Sequence, residues 1–256
     1  MKAQTGRMRI GLIAAGRVGT AMASALRAVG HTIIGAYAPS PEAVDRLDAM
    51  LPGVPAREIL DIVAQADLVL LAIDDAEIAP TVAGLAQMGA WRAGQILVHT
   101  SPLFGVNVLE PAAQCGVMTL ALHPAMRFSG TSLDVARLSG CFFAVTASPA
   151  IQPIGLALAA EMGAEAVIIP EQSRPAYGRA LGRMCDEIEV CVGQAVRQLA
   201  ECDVLDPAAL AYALAHDALE TALRTGPYAM GQDLSRWTSD SPVTSDCDSA
   251  DLSDDE

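Results

Sequence analysis

Three short stretches carry residue types and spacings that could do chemistry together. The first is Ala14-Ala15-Gly16-Arg17-Val18-Gly19, which puts small residues where a dinucleotide-binding fingerprint places them. Gly16 lets the backbone approach a pyrophosphate, and Gly19 lets a helix pack tightly on a strand. The free N–H groups and the positive end of that helix then face the phosphates. The alternative is a turn whose glycines serve packing alone. The first small residue is Ala14, where glycine is usual. A positive φ there costs alanine about 1 kcal/mol, whereas an ordinary φ costs nothing.

The other two stretches are His99-Thr100-Ser101 and Leu122-His123-Pro124, with Asp74-Asp75 between them and the glycine turn. Hydride transfer needs a proton donor beside the reacting carbon, and His123 is the nominal acid because imidazole titrates near neutrality. Its bland role is to anchor the loop at Pro124. Thr100 and Ser101 suit a nicotinamide amide or a substrate carboxylate, and equally suit capping the next turn. His99 is either a rim residue or a buried donor to a carbonyl. Asp74 and Asp75 suit a cofactor ribose or the cap of a helix at Ile78. Arg127 could clamp an anionic substrate, or be a solvated surface residue. Arg179, Arg183, Asp186 and Glu187 recur at three- and four-residue spacing; Arg183 and Glu187 are taken as substrate candidates, with ion pairing as the alternative. There is no Ser-His-Asp order, paired-carboxylate site or metal-ligand cluster.

These residues need a particular scaffold. Arg9 to Ser40 reads as strand, glycine turn, helix and strand. Further strands are expected at 68–73, 96–99, 118–122, 141–146 and 166–169, with helices at 41–50, 56–64, 78–88, 106–115 and 151–162. That alternation predicts an α/β fold, a doubly wound and mostly parallel sheet, over residues 1–170. In such sheets ligands bind outside the carboxyl ends of the strands, so all the stretches above fall on one rim. Two helical patterns, 174–202 and 207–224, form a smaller all-helical domain over 171–234. Residues 235–256 hold seven acids and one arginine without periodicity and read as a disordered acidic tail.

The end of the second strand bears on the cofactor. An Asp or Glu there binds the ribose hydroxyls of NAD, and a basic residue accepts the 2′-phosphate of NADP. Here it reads Tyr37-Ala38-Pro39-Ser40, with no acid; the nearest basic residue is Arg46, and Ser40 caps the next helix with Pro41 at its first position. NADP is therefore expected over NAD, with Ser40 on the adenosine side. The net charge of −14 argues against nucleic acid and anionic membranes. Six cysteines without CxxC spacing read as reduced thiols, and the polar start leads straight into a core strand, so a cytoplasmic protein is expected.

The glycine turn, His99-Thr100-Ser101 and Ala121-Leu122-His123-Pro124-Ala125-Met126 together resemble the Rossmann-like family that carries a C-terminal domain of unknown function, number 2520, over about residues 8 to 233. The resemblance implies a fold of the 6-phosphogluconate dehydrogenase-like superfamily, NADP-dependent oxidoreduction and a helical second domain that often forms dimers. Members usually begin the turn with glycine and end the second strand with a Ser-Arg-Ser-like sequence. They also carry His, His, Asn and His where Gly178, Arg183, Asp186 and Glu187 stand here. The expected function is an NADP-dependent oxidoreductase of a small anionic carbonyl or imine compound, dimeric through its C-terminal helices. The alternative is a non-catalytic nucleotide-binding or dimerisation protein on the same scaffold.

Overall fold

The computed structural model describes residues 7–225; the acidic stretch 235–256 and the last residues of the expected helical domain lie outside them. Seven strands form one sheet in the order β2-β1-β3-β4-β5-β6-β7. They are β1 Arg9–Ile13, β2 Thr32–Tyr37, β3 Leu68–Leu71, β4 Ile96–His99, β5 Met118–Pro124, β6 Phe142–Thr146 and β7 Glu165–Ile168. All neighbours pair in parallel except β5 and β6, which are antiparallel, with Ala121 opposite Thr146 and His123 opposite Ala144.

The central strands β3 and β4 are buried at every residue because both faces of the sheet are covered there, whereas the edge strand β7 is largely exposed. Successive side chains point to opposite faces, so each strand supplies two cores. Ile10, Leu12, Leu68, Leu70, Ile96 and Val98 enter one, with Met22 and Leu26 of helix α1 (Arg17–Ala28) and Leu47 of α2 (Pro41–Met50). Ile13, Val69, Leu71 and Leu97 enter the other, with Ile62 of α3 (Ile59–Gln65) and Ile78, Val82 and Leu85 of α4 (Asp75–Gln87). The remaining described helices are α5 Glu110–Ala113, α6 Leu133–Leu138, α7 Gln152–Glu161, α8 Arg174–Glu201 and α9 Pro207–Thr225. The chain divides into two compact units, the first ending at Met184, inside α8. In the second unit Ile188, Val190, Leu214, Leu219 and Leu223 are exposed, and His216 stacks on Tyr212.

The expected pattern of elements is present with local differences. The helix expected from Ala56 begins at Ile59, because Ala56 pairs with Ala36 along the open edge of β2. There the Ala36 N–H donates to the Pro55 carbonyl, and the Arg57 N–H donates to the Ala36 carbonyl. The helix expected over 106–115 is a 3-10 turn at Asn107–Leu109 followed by the short α5. Helix α4 starts at Asp75, and its N-cap, Asp74, makes no side-chain capping bond. Helix α6, six residues long, had no signal in the sequence pattern.

The turn after β1 settles how Ala14 is accommodated. Its φ is +73°, in the left-handed region where a Cβ is disfavoured, so the unstrained alternative does not hold. Gly19 is fixed by close approach: a Cβ there would lie 2.7 Å from Leu12 Cδ1 and 2.8 Å from the Ala14 carbonyl oxygen. Ala14→Gly is therefore expected to raise unfolding free energy by about 1 kcal/mol, read as a higher urea midpoint at unchanged slope. An unchanged or lower midpoint would show that the turn carries no strain at Ala14.

Candidate functional site

The strand order reverses at β1: the chain steps to β2 on one side and β3 on the other. A crevice forms at such a switch point, outside the carboxyl ends of the strands. It is a cleft of about 440 Å³ here, lined by Gly16, Arg17 and Val18 after β1, Ala72 to Asp75 after β3, Thr100 to Pro102 after β4, and Arg46 of α2. Of the residues expected to bind a cofactor, Gly16, Arg17, Val18, Asp74, Thr100 and Ser101 meet in this cleft. Gly19 and Ala15 are buried beneath it. Ser40 sits at the head of α2, and its hydroxyl oxygen accepts the Ala43 N–H at 3.2 Å, so the side chain serves as a helix cap. Arg127 is exposed and is not among the cleft-lining residues. Arg183 and Glu187 are exposed on α8, Glu187 in the second unit.

Gly16 leaves an open cradle. It is the N-cap of α1 with extended backbone, and a Cβ placed on it would meet nothing nearer than the Ala72 carbonyl at 3.9 Å. No side chain caps α1 and no acid stands in its first turn. Its first N–H groups and the positive end of its dipole thus have no anion of their own first turn, and Asp74 and Asp75 stand elsewhere in the cleft lining.

Beside the cleft lies a charge that the sequence reading did not single out. Arg174, at the first residue of α8, is fully buried. Its Nε donates to Thr146 Oγ1 at 2.6 Å and its Nη1 to the Ser101 carbonyl at 3.3 Å. Its Nη2 donates to the carbonyls of Ala121 at 3.0 Å and Ala144 at 2.8 Å. One guanidinium therefore joins the ends of β5 and β6, the loop after β4 and the start of α8. Burial pulls its pKa down to about 10, which leaves it charged at neutral pH. Only the buried location of an otherwise ordinary arginine distinguishes it, and no sequence pattern marks that.

Burial, with a smaller contribution from Arg174, sets the state of the two histidines His99 and His123. His99 is buried; its Nε2 donates to the Gly105 carbonyl at 2.8 Å while its Nδ1 accepts the Ser101 N–H at 3.2 Å. Burial, with the Arg174 charge adding to it, brings its pKa to about 4. His99 is thus a neutral buried donor to a carbonyl. His123 Nδ1 lies 3.0 Å from the Tyr177 hydroxyl, with the two rings edge to face at 5.7 Å. Burial, then Arg174, lowers its pKa to about 4 as well, so it is neutral at pH 7. The Arg174 guanidinium stands 5.8 Å from the centre of the Tyr177 ring, and burial raises the tyrosine pKa. Ser101 Oγ accepts the N–H groups of Leu103 and Phe104, the turn-capping role. Among the described residues no three His, Cys, Asp or Glu side chains are grouped to hold a metal ion, and no helix is long and apolar enough to cross a membrane.

Residues 1–124 match the Rossmann-like domain, and residues 141–231 match DUF2520, a domain of unknown function. The chain belongs to the family that joins a Rossmann-like domain to DUF2520. No curated protein matches it in sequence. Among solved structures, this Rossmann-like/DUF2520 chain resembles a provisionally named NADP oxidoreductase of Bacteroides fragilis (TM-score 0.71, 18% identity, covering 90% of this chain and 86% of that one). It also resembles an imine reductase of Myxococcus stipitatus in complex with NAD+ (0.62, 19%, 85% and 74%). A third is a Plasmodium falciparum pyrroline carboxylate reductase with NADP bound (0.62, 9%, 86% and 80%). At these identities the likeness is one of fold.

One departure of this Rossmann-like/DUF2520 chain from its family's pattern, Gly178, has a local reading. At Gly178 a Cβ would fall 2.6 Å from Leu103 Cδ2 and 3.0 Å from Leu103 Cα, so the first turns of α8 lie directly on the loop after β4 and leave no room for a larger residue. The same loop is held from below by Glu171, whose carboxylate accepts the N–H groups of Val106 and Asn107. Replacing Arg174 by Met fills the volume but leaves three carbonyls and a hydroxyl short of their donor. A loss of about 2–4 kcal/mol in unfolding free energy is expected, and Arg174→Lys should recover little of it. A urea-midpoint shift equivalent to under about 1 kcal/mol would show that those acceptors find other donors.

Proposed function

We propose that this chain is an oxidoreductase that binds a nicotinamide dinucleotide, NADP in preference to NAD, in the cleft between β1 and β3. The observation that carries the reading is the open cradle at Gly16: an uncapped helix start, without a Cβ and without an acid, facing a cleft at the switch point of the sheet. Gly16 and the first N–H groups of α1 hold the pyrophosphate. Thr100 and Ser101, on the far side of the cleft, border the nicotinamide end, and Asp74 and Asp75 the ribose. The bound dinucleotide supplies or accepts the hydride. The substrate is a small carbonyl or imine compound, for which His123 and Tyr177 provide the proton-handling groups on the rim.

Their roles follow from their protonation states. A neutral His123 does not hold the extra proton that an imidazolium acid would release. Tyr177 gives its hydroxyl proton to the substrate heteroatom and regains one from water, while the neutral His123, with Nδ1 3.0 Å from that hydroxyl, orients it. Arg174, beneath the tyrosine ring, favours the phenolate that a proton donation leaves behind. His123→Ala should leave dinucleotide affinity within about twofold while lowering turnover of a responsive keto acid or cyclic imine by roughly 10²-fold or more. Equal turnover would make His123 a loop anchor.

The test of the reading itself needs no substrate. NADPH and NADH are titrated into the full chain and followed by cofactor fluorescence and thermal shift. Micromolar binding of at least one is expected. Gly16→Asp should keep or slightly raise the melting temperature of the free protein, because aspartate is a good N-cap and nothing crowds the new side chain. It should abolish binding by clash and charge repulsion. Unchanged affinity in Gly16→Asp would refute the cradle assignment.

A further inference from the structure

Cofactor discrimination in this fold normally rests on the residue that ends β2, and here that stretch holds neither an acid nor a base. The cleft nevertheless carries a second cation besides Arg17. Arg46 projects from α2, is half-buried, and donates from Nη1 to the Ala15 carbonyl at 3.3 Å, which places its guanidinium beside the glycine turn. We infer that Arg46 binds the 2′-phosphate of the dinucleotide and makes the cleft selective for NADP(H), in place of the arginine that β2 lacks. This deepens the dinucleotide reading above and rests on it.

Arg46 is held from outside as well as from its own helix. The loop Ser129–Thr131 reaches it from beyond β5. A Cβ on Gly130 would lie 3.3 Å from Arg46 Nε and 2.8 Å from Arg17 Cγ, so this loop is in contact with both arginines. Gly130 has a φ of +85° and admits no larger residue without strain. The loop in turn is fixed by Asp134, whose side chain is fully buried. Its carboxylate accepts the Ser129 N–H at 3.1 Å, the Ser129 hydroxyl at 3.1 Å and the Gly130 N–H at 2.7 Å, and Arg137 stands 3.4 Å away. This is a buttress of the kind that fixes a binding side chain. Glu42, one turn before Arg46, and Asp74 and Asp75 across the cleft are the carboxylates that oppose a bound phosphate.

One rival exists. Arg57 lines a second depression of about 640 Å³ next to Tyr37, Ala38 and Pro39. It shares that depression with Glu58 and Asp61, its Nη1 donates to Gln65 Oε1 at 3.2 Å, and its stem lies against Gly35. Two carboxylates against one guanidinium make a poor seat for a dianion.

The experiment compares NADPH and NADH affinities of the wild type, Arg46→Gln, Arg46→Ala and Arg57→Ala, each shown to fold by its melting curve. Wild type should prefer NADPH at least tenfold, as the loss of one charge-assisted phosphate contact implies. Both Arg46 variants should lose roughly 10- to 100-fold in NADPH affinity while NADH changes by less than about threefold, and Arg57→Ala should keep the wild-type preference. Equal wild-type affinities overturn the inference and leave the dinucleotide reading standing. Parallel loss of both cofactors in the Arg46 variants also overturns it, because Arg46 then contacts the shared pyrophosphate. A preference that moves with Arg57 assigns the phosphate to the second depression. Binding of neither cofactor by the wild type removes the dinucleotide reading and the inference with it.

Discussion

The geometry of the rim depends on one buried guanidinium. Arg174 is met by oriented dipoles, three backbone carbonyls and the Thr146 hydroxyl, with the Glu171 carboxylate adding a favourable charge. Burying a charge this way is costly unless its donors are matched, and here two contacts to β6, one to β5 and one to the loop after β4 bring those elements to the same point. The crossing of the antiparallel pair β5–β6, the turn after β4 and the start of α8 are therefore held in fixed relation. The same charge adds to the burial that keeps His99 and His123 neutral, and lies under the Tyr177 ring. A structural contact and the electrostatics of the rim are one feature.

The other half of the cleft is built differently. Around Gly16 the backbone does the work: small residues, an uncapped helix end and a left-handed turn. Ala14 sits in a conformation that glycine would take without cost, so the turn is maintained against local preference by what surrounds it. The Ala15 N–H donates to the Tyr37 carbonyl, and Ala14 lies over Gly19, where the chain has no room to relax. Strain of this kind at a ligand-facing turn is common, because the shape needed for the ligand differs from the shape the chain prefers.

Much of this was legible in the sequence. Apolar runs bounded by turn residues located all seven strands, most clearly β3 and β4, since a strand buried on both faces needs an unbroken apolar sequence. The glycine turn, Asp74 and Thr100-Ser101 converge because parallel strands send their carboxyl ends to one edge. Short elements were read less well. The pattern starts a helix at Ala56, but Ala56 and Arg57 are drawn out along β2 because that edge offers unpaired backbone groups. Helix α6 is too short to show a period.

What the sequence by itself determined is the layering: which residues are apolar, at what period, and where glycine and proline interrupt them. These are local properties, and they are enough to order strands and helices and to place the glycine turn at the start of a helix. What only the tertiary structure decided is the company each polar residue keeps. Arg174, Arg46, Asp134 and Tyr177 look like ordinary helix or loop residues in the chain. Their partners are 53 residues away for Arg174 and Ala121, 31 for Arg46 and Ala15, and 54 for Tyr177 and His123. Charge, protonation and hydrogen bonding depend on burial and on neighbours brought together by folding, and no local pattern encodes those.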